Sequence, residues 1–396
     1  MFHFTALPPL SLYIHVPWCV RKCPYCDFNS HAMNGDIPET AYIDCLLADL
    51  EQDLPSIWGR VVSSIFIGGG TPSLLSAEAV DRLLSGLRMR LSIDAYAEIT
   101  LEANPGTLES GKFHEFRATG INRLSIGCQS FDDAQLQTLG RIHDRREAIR
   151  AAEAAHAAGF ENFNLDLMFG LPGQDALQAL SDIDTAIALE PTHISYYQLT
   201  LEPNTLFHHN PPTLPQDDAI WEMQTASQAR LAAKGFGQYE ISAYARPGKE
   251  SRHNLNYWSF GDYLGIGAGA HAKISAADTQ SITRTWKQKH PATYMQTVAN
   301  GQHIGARDRL SVEDTGFEFM LNALRLKDGF ATSLFNAHTG LPITVISQAL
   351  ATAEQRGLLE HTVKRIKPTE MGFRFYNDLV ELFLPEENTA KKESAS

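Results

Sequence analysis

Short apolar runs alternate with amphipathic stretches over the first 245 residues, and this alternation limits the possible folds more than any other feature. The apolar runs have the length of β-strands, and the stretches between them have helical apolar spacing. Because parallel strands need a crossover connection, the repeat predicts βαβ units, a parallel sheet and an α/β fold. About six units favour a full or partial (β/α) barrel. We predict strands at Ser11–Val16, Val62–Ile67, Tyr96–Leu101, Asn122–Ile126, Phe163–Met168, His193–Leu199 and Tyr239–Ala243.

The amphipathic stretches predict the crossover helices. Their apolar residues recur every three or four positions, which places them on one helical face. Pro38-Glu39-Thr40 and Ser76-Ala77-Glu78 are typical helix starts. We predict helices at Thr40–Asp53, Ala77–Leu91, Glu109–Ala118, Arg145–Ala158, Asp175–Leu189 and Asp217–Ala233.

The alternation of apolar runs and amphipathic stretches changes after residue 245, which indicates further structural units. We predict a barrel domain over residues 1–245 and a connecting segment over 246–304. Residues 305–385 are predicted to form a small, helical, winged-helix-like domain. Its helices are expected at Glu313–Leu326 and Ile343–Arg356, and its hairpin at Arg374–Leu384. The short charged end, residues 386–396, is predicted to be a flexible tail.

Composition and charge exclude several classes of protein. The net charge of −13 disfavours broad, charge-driven binding to nucleic acid or to an anionic membrane. The sequence contains no run of 18 apolar residues, and its first ten residues lack the features of a secretory signal. Five cysteines are too few, and odd in number, for a disulfide framework. We therefore expect a cytosolic protein.

Three of the five cysteines fall within eight residues, directly after the first predicted strand. The pattern is Cys19-x3-Cys23-x2-Cys26. Three thiolates at this spacing can hold three irons of a cubane cluster and leave the fourth iron open to a small molecule. A zinc site is the alternative, with His15 or His31 as a fourth ligand.

Glycine and polar residues follow the other strands. Gly68-Gly69-Gly70-Thr71-Pro72 ends the second strand, where glycines allow close approach of the backbone to a ligand. In a barrel, strand ends meet at one face, where the active site lies. Carboxylates there can bind ribose hydroxyls or an amino group, and an arginine can bind a carboxylate. The candidate polar residues are Glu102, Gln129, Arg141 and Asp166. The alternative is that some of them only cap loops.

His253-Asn254-x2-Tyr257-Trp258 groups an imidazole, an amide and two aromatic rings. A porphyrin needs flat apolar surface, and a haem iron also needs an axial ligand such as histidine. The alternative, which the chemistry alone favours, is a helix with a buried structural histidine.

Three motifs together resemble the HemN/HemW group of radical-SAM proteins. They are Tyr13-x-His15-x-Pro17-x-Cys19-x3-Cys23-x2-Cys26, Gly68-Gly69-Gly70-Thr71-Pro72 and Gly170-Leu171-Pro172-Gly173. The resemblance extends over nearly the whole chain. It implies a radical-SAM barrel, a [4Fe–4S] cluster held by the three cysteines, and S-adenosylmethionine (SAM). A reduced cluster would pass one electron to SAM, giving methionine and a 5′-deoxyadenosyl radical. The positions that line SAM sites in this group are Tyr13, Gly69, Gly70, Thr71, Glu102, Gln129, Arg141 and Asp166.

The group has an oxidase branch and a haem-chaperone branch. The oxygen-independent coproporphyrinogen III oxidase carries a further cysteine two residues after the third ligand, where this chain has Phe28. It also has a longer segment before the cysteine loop, whereas 18 residues precede Cys19 here. The His253 motif matches the haem-binding motif of the chaperone branch. The resemblance therefore implies a haem chaperone with His253 as the haem-linked residue, and the oxidase is the alternative.

The partners that the resemblance implies are haem and haem-accepting proteins, with membrane-associated respiratory proteins as the suggested class. A homodimer is left open. A third hypothesis, a radical-SAM enzyme that modifies RNA, predicts a basic surface, which the net charge of −13 does not favour. We therefore expect no nucleic-acid partner.

Overall fold

One twelve-stranded sheet organises most of the protein in a computed structural model, which describes residues 2–106 and 110–385. Its strands are β1 (Leu10–Val16), β2 (Val61–Gly69), β3 (Ser92–Ala103), β4 (Arg123–Gln129), β5 (Phe163–Phe169), β6 (His193–Gln198), β7 (Gly237–Glu240), β8 (Ala243–Ala245), β9 (Asp262–Ile266), β10 (His271–Ala276), β11 (Ser281–Lys287) and β12 (Ile304–Arg309). The order across the sheet is β12-β11-β10-β9-β1-β2-β3-β4-β5-β6-β8-β7. From β9 through β1 to β6 the neighbouring strands are parallel. The predicted α/β class is confirmed, and the sheet forms a partial barrel that ends at β12 and β7.

Helices connect the parallel strands and pack their apolar faces on the sheet. They are α1 (Glu39–Asp53), α2 (Ala77–Arg88), α3 (Phe113–Thr119), α4 (Asp133–Thr138), α5 (Arg145–Ala157), α6 (Ala176–Ala188), α7 (Leu206–His209), α8 (Asp217–Ala233), α9 (Arg252–Trp258) and α10 (Pro291–Thr297). Single 3₁₀ turns span Leu54–Ile57, Pro72–Leu74 and Val298–Asn300. The predicted start of α2 is confirmed, because the Ser76 hydroxyl accepts the Ala79 N–H at 3.2 Å.

Two sheet regions differ from the sequence-based expectation. The last predicted strand, Tyr239–Ala243, is split by a turn into β7 and β8, and β8 pairs antiparallel with β6. The stretch predicted as a connecting segment contains β9, β10 and β11, and β12 follows it in the same sheet. Buried charges hold this extension in place, because Asp262 at the start of β9 pairs with Lys273 at 3.0 Å and Arg60 at 2.8 Å.

The C-terminal region has its own hydrophobic core. Its elements are α11 (Val312–Ala323), β13 (Phe330–Ala331), α12 (Thr332–Thr339), a 3₁₀ turn (Ile343–Ile346), α13 (Ser347–Gln355), β14 (Leu359–His361), β15 (Arg365–Pro368), α14 (Glu370–Arg374) and α15 (Tyr376–Glu381). The predicted hairpin at Arg374–Leu384 is wrong, because that stretch is mainly helical and buries Leu379, Val380 and Phe383 at helical spacing. The hairpin is formed by β14 and β15. The predicted tail, residues 386–396, and Glu109 lie outside the described residues.

A buried ionic cluster ties the sheet extension to the first helix. The Lys287 ammonium on β11 contacts Asp49 at 2.5 Å and Asp53 at 2.6 Å, both on α1. His303 lies 2.8 Å from Asp49, and the Tyr294 hydroxyl donates to Asp49 at 2.7 Å. His303 and Lys287 hold the pKa of Asp49 below its usual value although burial alone would raise it.

Removal of the Lys287 charge should destabilise the fold. In Lys287→Met, the buried Asp49 and the half-buried Asp53 lose their cation, and we expect the free energy of unfolding to fall by about 3–5 kcal/mol. Urea denaturation followed by circular dichroism measures this change, with exposed Lys364→Met as the matched control. If the two variants were equally stable, the ionic cluster would make no net contribution to the free energy of unfolding.

Candidate functional site

The three clustered cysteines line one cavity of about 250 Å³ at the carboxyl ends of the parallel strands. Their loop leaves β1 and is fastened at its far end by Asn29. The Asn29 amide donates to the carbonyls of Ala268 at 2.9 Å and Lys289 at 2.8 Å. His15 bonds to the Asn29 carbonyl at 2.8 Å. The loop is therefore held between β1 and the turn that joins β9 to β10.

Each thiol has a polar neighbour. The Thr71 hydroxyl donates to Cys19 Sγ at 3.5 Å, and Arg141 Nη1 donates to Cys23 Sγ at 3.6 Å. Cys26 Sγ lies 3.8 Å from the Ser30 hydroxyl. Burial raises the pKa of Cys19 and of Cys26. The donors oppose this effect, because a hydrogen bond to a charged form stabilises that form.

A directed chain of hydrogen bonds links two of the cysteines. Arg141 Nη2 donates to Asn104 Oδ1 at 2.6 Å, and Asn104 Nδ2 donates to the Thr71 hydroxyl at 2.9 Å. Since that hydroxyl donates to Cys19, every bond in the chain is oriented toward sulfur. Asn104 was not selected from the sequence, although the strand-end motif Glu102-Ala103-Asn104-Pro105 contained the signal.

The free cysteines and the contacts of His15 bear on the choice between an iron–sulfur cluster and a zinc ion. All three cysteines are free thiols facing one cavity. Within residues 2–106 and 110–385, no group of three His, Cys, Asp or Glu side chains converges on one metal position. His15, one of the two proposed zinc ligands, instead bonds to the Tyr13 hydroxyl at 2.9 Å and to Asn29. Both ring nitrogens of His15 are therefore engaged, so His15 is not free to act as a fourth zinc ligand in this arrangement.

Glycine at the end of β2 is required by close packing. A side chain at Gly69 would lie 2.6 Å from the His15 ring, and one at Gly70 would lie 2.5 Å from the Trp18 carbonyl. The Gly69 N–H donates to Glu102 Oε2 at 3.0 Å. Burial and the charge of Asp166 together raise the pKa of Glu102 to about 8. Its carboxyl is therefore largely protonated at neutral pH.

The next strand ends complete the same cavity. Gln129 has a φ of 70°, and its side chain accepts the Tyr197 hydroxyl at 2.6 Å. Asp166 accepts from Ser125 at 3.1 Å and from Asn164 at 2.8 Å, and burial raises its pKa. The sequence-based selection missed Tyr197 and Ser125. The cavity thus contains the predicted residues Gly69, Gly70, Thr71, Glu102, Gln129, Arg141 and Asp166.

Tyr13 and His253 lie apart from this cavity. Tyr13 lines a second cavity of about 370 Å³, which shares Phe28, Gly69 and Glu102 with the first. His253 is 4% exposed, and its ring stacks on Phe66 at a centroid distance of 4.6 Å. Burial and, less strongly, Arg123 lower its pKa to about 3.

The His253 motif sits on α9, and one of its residues, Tyr257, lines the second cavity. A hydrogen-bonded column connects the motif to the first cavity. From Asp166 and Asn164 it continues through His193, 2.7 Å from Asn164, to the Tyr239 hydroxyl at 2.9 Å. The Asn254 amide then donates to Tyr239 at 3.4 Å. The motif and the strand-end cavity are thus linked through the barrel interior by hydrogen bonds.

Two family models match the chain. The radical SAM superfamily model matches residues 13–184, and the HemN C-terminal domain model matches residues 310–375. The chain is 51% identical over 380 residues to the heme chaperone HemW of Escherichia coli strain K12 and 49% identical over 385 residues to that of Haemophilus influenzae. Each alignment covers 96% of this chain and 99% of the relative. The heme chaperone HemW of Bacillus subtilis is 33% identical, over 95% of this chain and 99% of its own length.

A solved structure shares the fold. Coproporphyrinogen III oxidase (HemN) from Escherichia coli, a radical SAM enzyme, superposes with a TM-score of 0.80 and 24% sequence identity. The match covers 95% of this chain and 90% of the oxidase. No helix in the described residues is both long and apolar enough to cross a membrane.

Loss of the Thr71 hydroxyl should shift the potential of a cluster held by this loop. A hydrogen bond to sulfur stabilises the reduced, more negative cluster, so Thr71→Val should lower the midpoint potential. Loss of about 1 kcal/mol corresponds to roughly 40 mV for one electron. A redox titration monitored by electron paramagnetic resonance (EPR) measures the shift, with exposed Thr293→Val as control. An unchanged potential in Thr71→Val would contradict the assigned hydrogen bond.

Proposed function

Because the chain belongs to the HemW family of radical-SAM proteins, we propose that it is a haem chaperone that binds haem and transfers it to haem-dependent proteins. The family implies a [4Fe–4S] cluster and SAM. The observation that carries the proposal is the cysteine loop in its hydrogen-bonded setting, within a chain that matches heme chaperones over nearly its full length. The cytosolic location expected from the sequence remains a prediction.

In this proposal, Cys19, Cys23 and Cys26 hold the cluster. Arg141 offsets the negative charge of the thiolates, and Thr71 donates to one of them. When bound and reduced, the cluster would supply the electron for cleavage of SAM.

The strand-end residues would bind SAM. Gly69 and Gly70, which line this cavity and have no side chain, would let the methionine part approach the backbone at close range. Glu102 and Asp166, which face the same cavity, would receive its amino group and ribose hydroxyls. The predicted roles of Gln129 and Tyr13 as further lining residues are part of the same proposal.

The side chain at position 28 favours a chaperone over an oxidase. Phe28 is 59% exposed and lines both cavities, at the position where the oxidase carries a further cysteine. A phenyl ring has neither a nucleophile nor a titratable proton, but it offers flat apolar surface to a porphyrin. The predicted haem-linked residue, His253, would have to leave its packing on Phe66 to reach an iron, so its role is tested separately below. Haem-accepting proteins, including respiratory ones at a membrane, are the proposed partners, and a homodimer stays open.

Binding of SAM should release a proton through Glu102. Its carboxyl, with a pKa raised to about 8, holds a proton at pH 7, and the positive charges of SAM favour its ionised form. We therefore expect release of close to one proton at pH 7, and an affinity for SAM that rises as the pH increases toward about 8. Calorimetry of the cluster-loaded protein, in buffers that differ in ionisation enthalpy, counts the protons. Glu102→Gln should release fewer protons, and the exposed control Glu153→Gln should match wild type. Equal proton release by all three proteins would refute the role of Glu102 in proton release.

One anaerobic experiment separates the chaperone from the oxidase. The cluster is reconstituted, SAM, a reductant and coproporphyrinogen III are added, and nucleosides and tetrapyrroles are separated by chromatography. Parallel samples are titrated with haem and then mixed with an apo-haem protein. We expect haem uptake and transfer without decarboxylated porphyrinogen. Accumulation of protoporphyrinogen would identify an oxidase, and absence of haem uptake would overturn the proposed function.

A further inference from the structure

The second cavity has the lining that a porphyrin needs. Its volume is about 370 Å³, and its wall includes Tyr13, Phe28, Tyr257 and Tyr263. The rings of Tyr257 and Tyr263 lie 4.4 Å apart between centroids, so they form one continuous aromatic surface. Aromatic walls of this kind bind flat apolar molecules. Of these four residues, Tyr263 has no role assigned above.

One histidine on the cavity wall is accessible. His271, the first residue of β10, is exposed and lines the second cavity. Its ring packs edge-on against Trp286 at a centroid distance of 5.7 Å. Within residues 2–106 and 110–385, neither ring nitrogen has a hydrogen-bond partner. Partial burial, Arg284 and Lys289 lower its pKa, so the imidazole is neutral at pH 7, the form that binds a metal.

The charges near His271 suit an anionic ligand. Arg284 Nη1 donates to the Tyr263 hydroxyl at 3.1 Å, and the arginine is already paired with Glu318. Lys289 makes no ion pair among the described residues, and its charge acts on His271. Haem combines these requirements in one molecule, because it has a flat macrocycle, an iron with open axial positions and two propionates.

We propose that haem binds in the second cavity with His271 as an axial ligand of its iron. Phe28, Tyr257 and Tyr263 would hold the macrocycle, and the charge of Lys289 would favour the propionates. The inference rests on the proposed function and specifies its binding site. It also assigns His253 a positioning role, because its ring packs behind Tyr257 at a centroid distance of 4.6 Å.

The cysteine loop shapes this cavity. Asn29, which closes the loop, lines the second cavity and bonds to the carbonyls of Ala268 and Lys289, on either side of His271 in the chain. The same contacts therefore position the cluster loop and the histidine. This arrangement places haem next to the cluster cavity, from which it is separated by Phe28 and Gly69.

The test is a haem titration of the full chain with its cluster reconstituted, followed by absorbance and EPR. His271→Ala should raise the dissociation constant by roughly tenfold or more and change the iron ligation spectrum. Added imidazole should restore that spectrum by occupying the vacated position. His253→Phe, which keeps an aromatic ring, should retain the wild-type ligation, and exposed His208→Ala is the matched control.

The outcomes distinguish this inference from the proposed function. If wild type binds haem and His271→Ala binds it with the same affinity and spectrum, the assignment of His271 is wrong and the chaperone proposal stands. If His253→Phe alone loses the ligation, His253 is the ligand. If wild type takes up no haem, both proposals fail. Thermal melting of each variant confirms that the fold is intact.

Discussion

The arrangement of the site depends on the hydrogen bonds that the charged Arg141 guanidinium donates. Burial disfavours the ionised forms of Cys19 and Cys26, whose pKa values are raised. Arg141 donates directly to Cys23 and, through Asn104, is connected to Thr71, which donates to Cys19. These groups come from four successive strand ends of the sheet. One guanidinium therefore holds together the segments that follow β1, β2, β3 and β4.

The side chains inside the barrel are enclosed, whereas the two cavities are open. On helix α9, His253 is buried against Phe66, and Asn254 donates to the Tyr239 hydroxyl. The carboxyl ends remain open and contain both cavities. The column from Asp166 to Asn254 satisfies polar groups that would otherwise be buried without partners. It also gives the barrel interior a rigid polar core beneath the cavities.

The success and failure of the sequence-based predictions have separate physical causes. The parallel strands were found because short stretches rich in apolar residues mark buried strands, as Leu10, Leu12, Ile14 and Val16 do in β1. The extension β9 to β12 was missed because its strands carry partnered charges and polar residues, such as Asp262 and Lys273, that interrupt the pattern. The helices within Arg374–Leu384 were mistaken for a hairpin because the apolar residues of so short a stretch fit both the helical and the strand period.

The sequence by itself determined the α/β class, the HemN/HemW resemblance and the residues that meet in the strand-end cavity. These follow from local patterns, because apolar periodicity sets the strands and parallel strands bring their carboxyl ends to one edge. Only the tertiary structure decided that Asn104 connects Arg141 to Thr71, that His253 is enclosed and that His271 is open. These facts depend on which side chains from distant segments become neighbours and on how much of each side chain stays exposed to solvent. Neither quantity is contained in the spacing of residues along the chain.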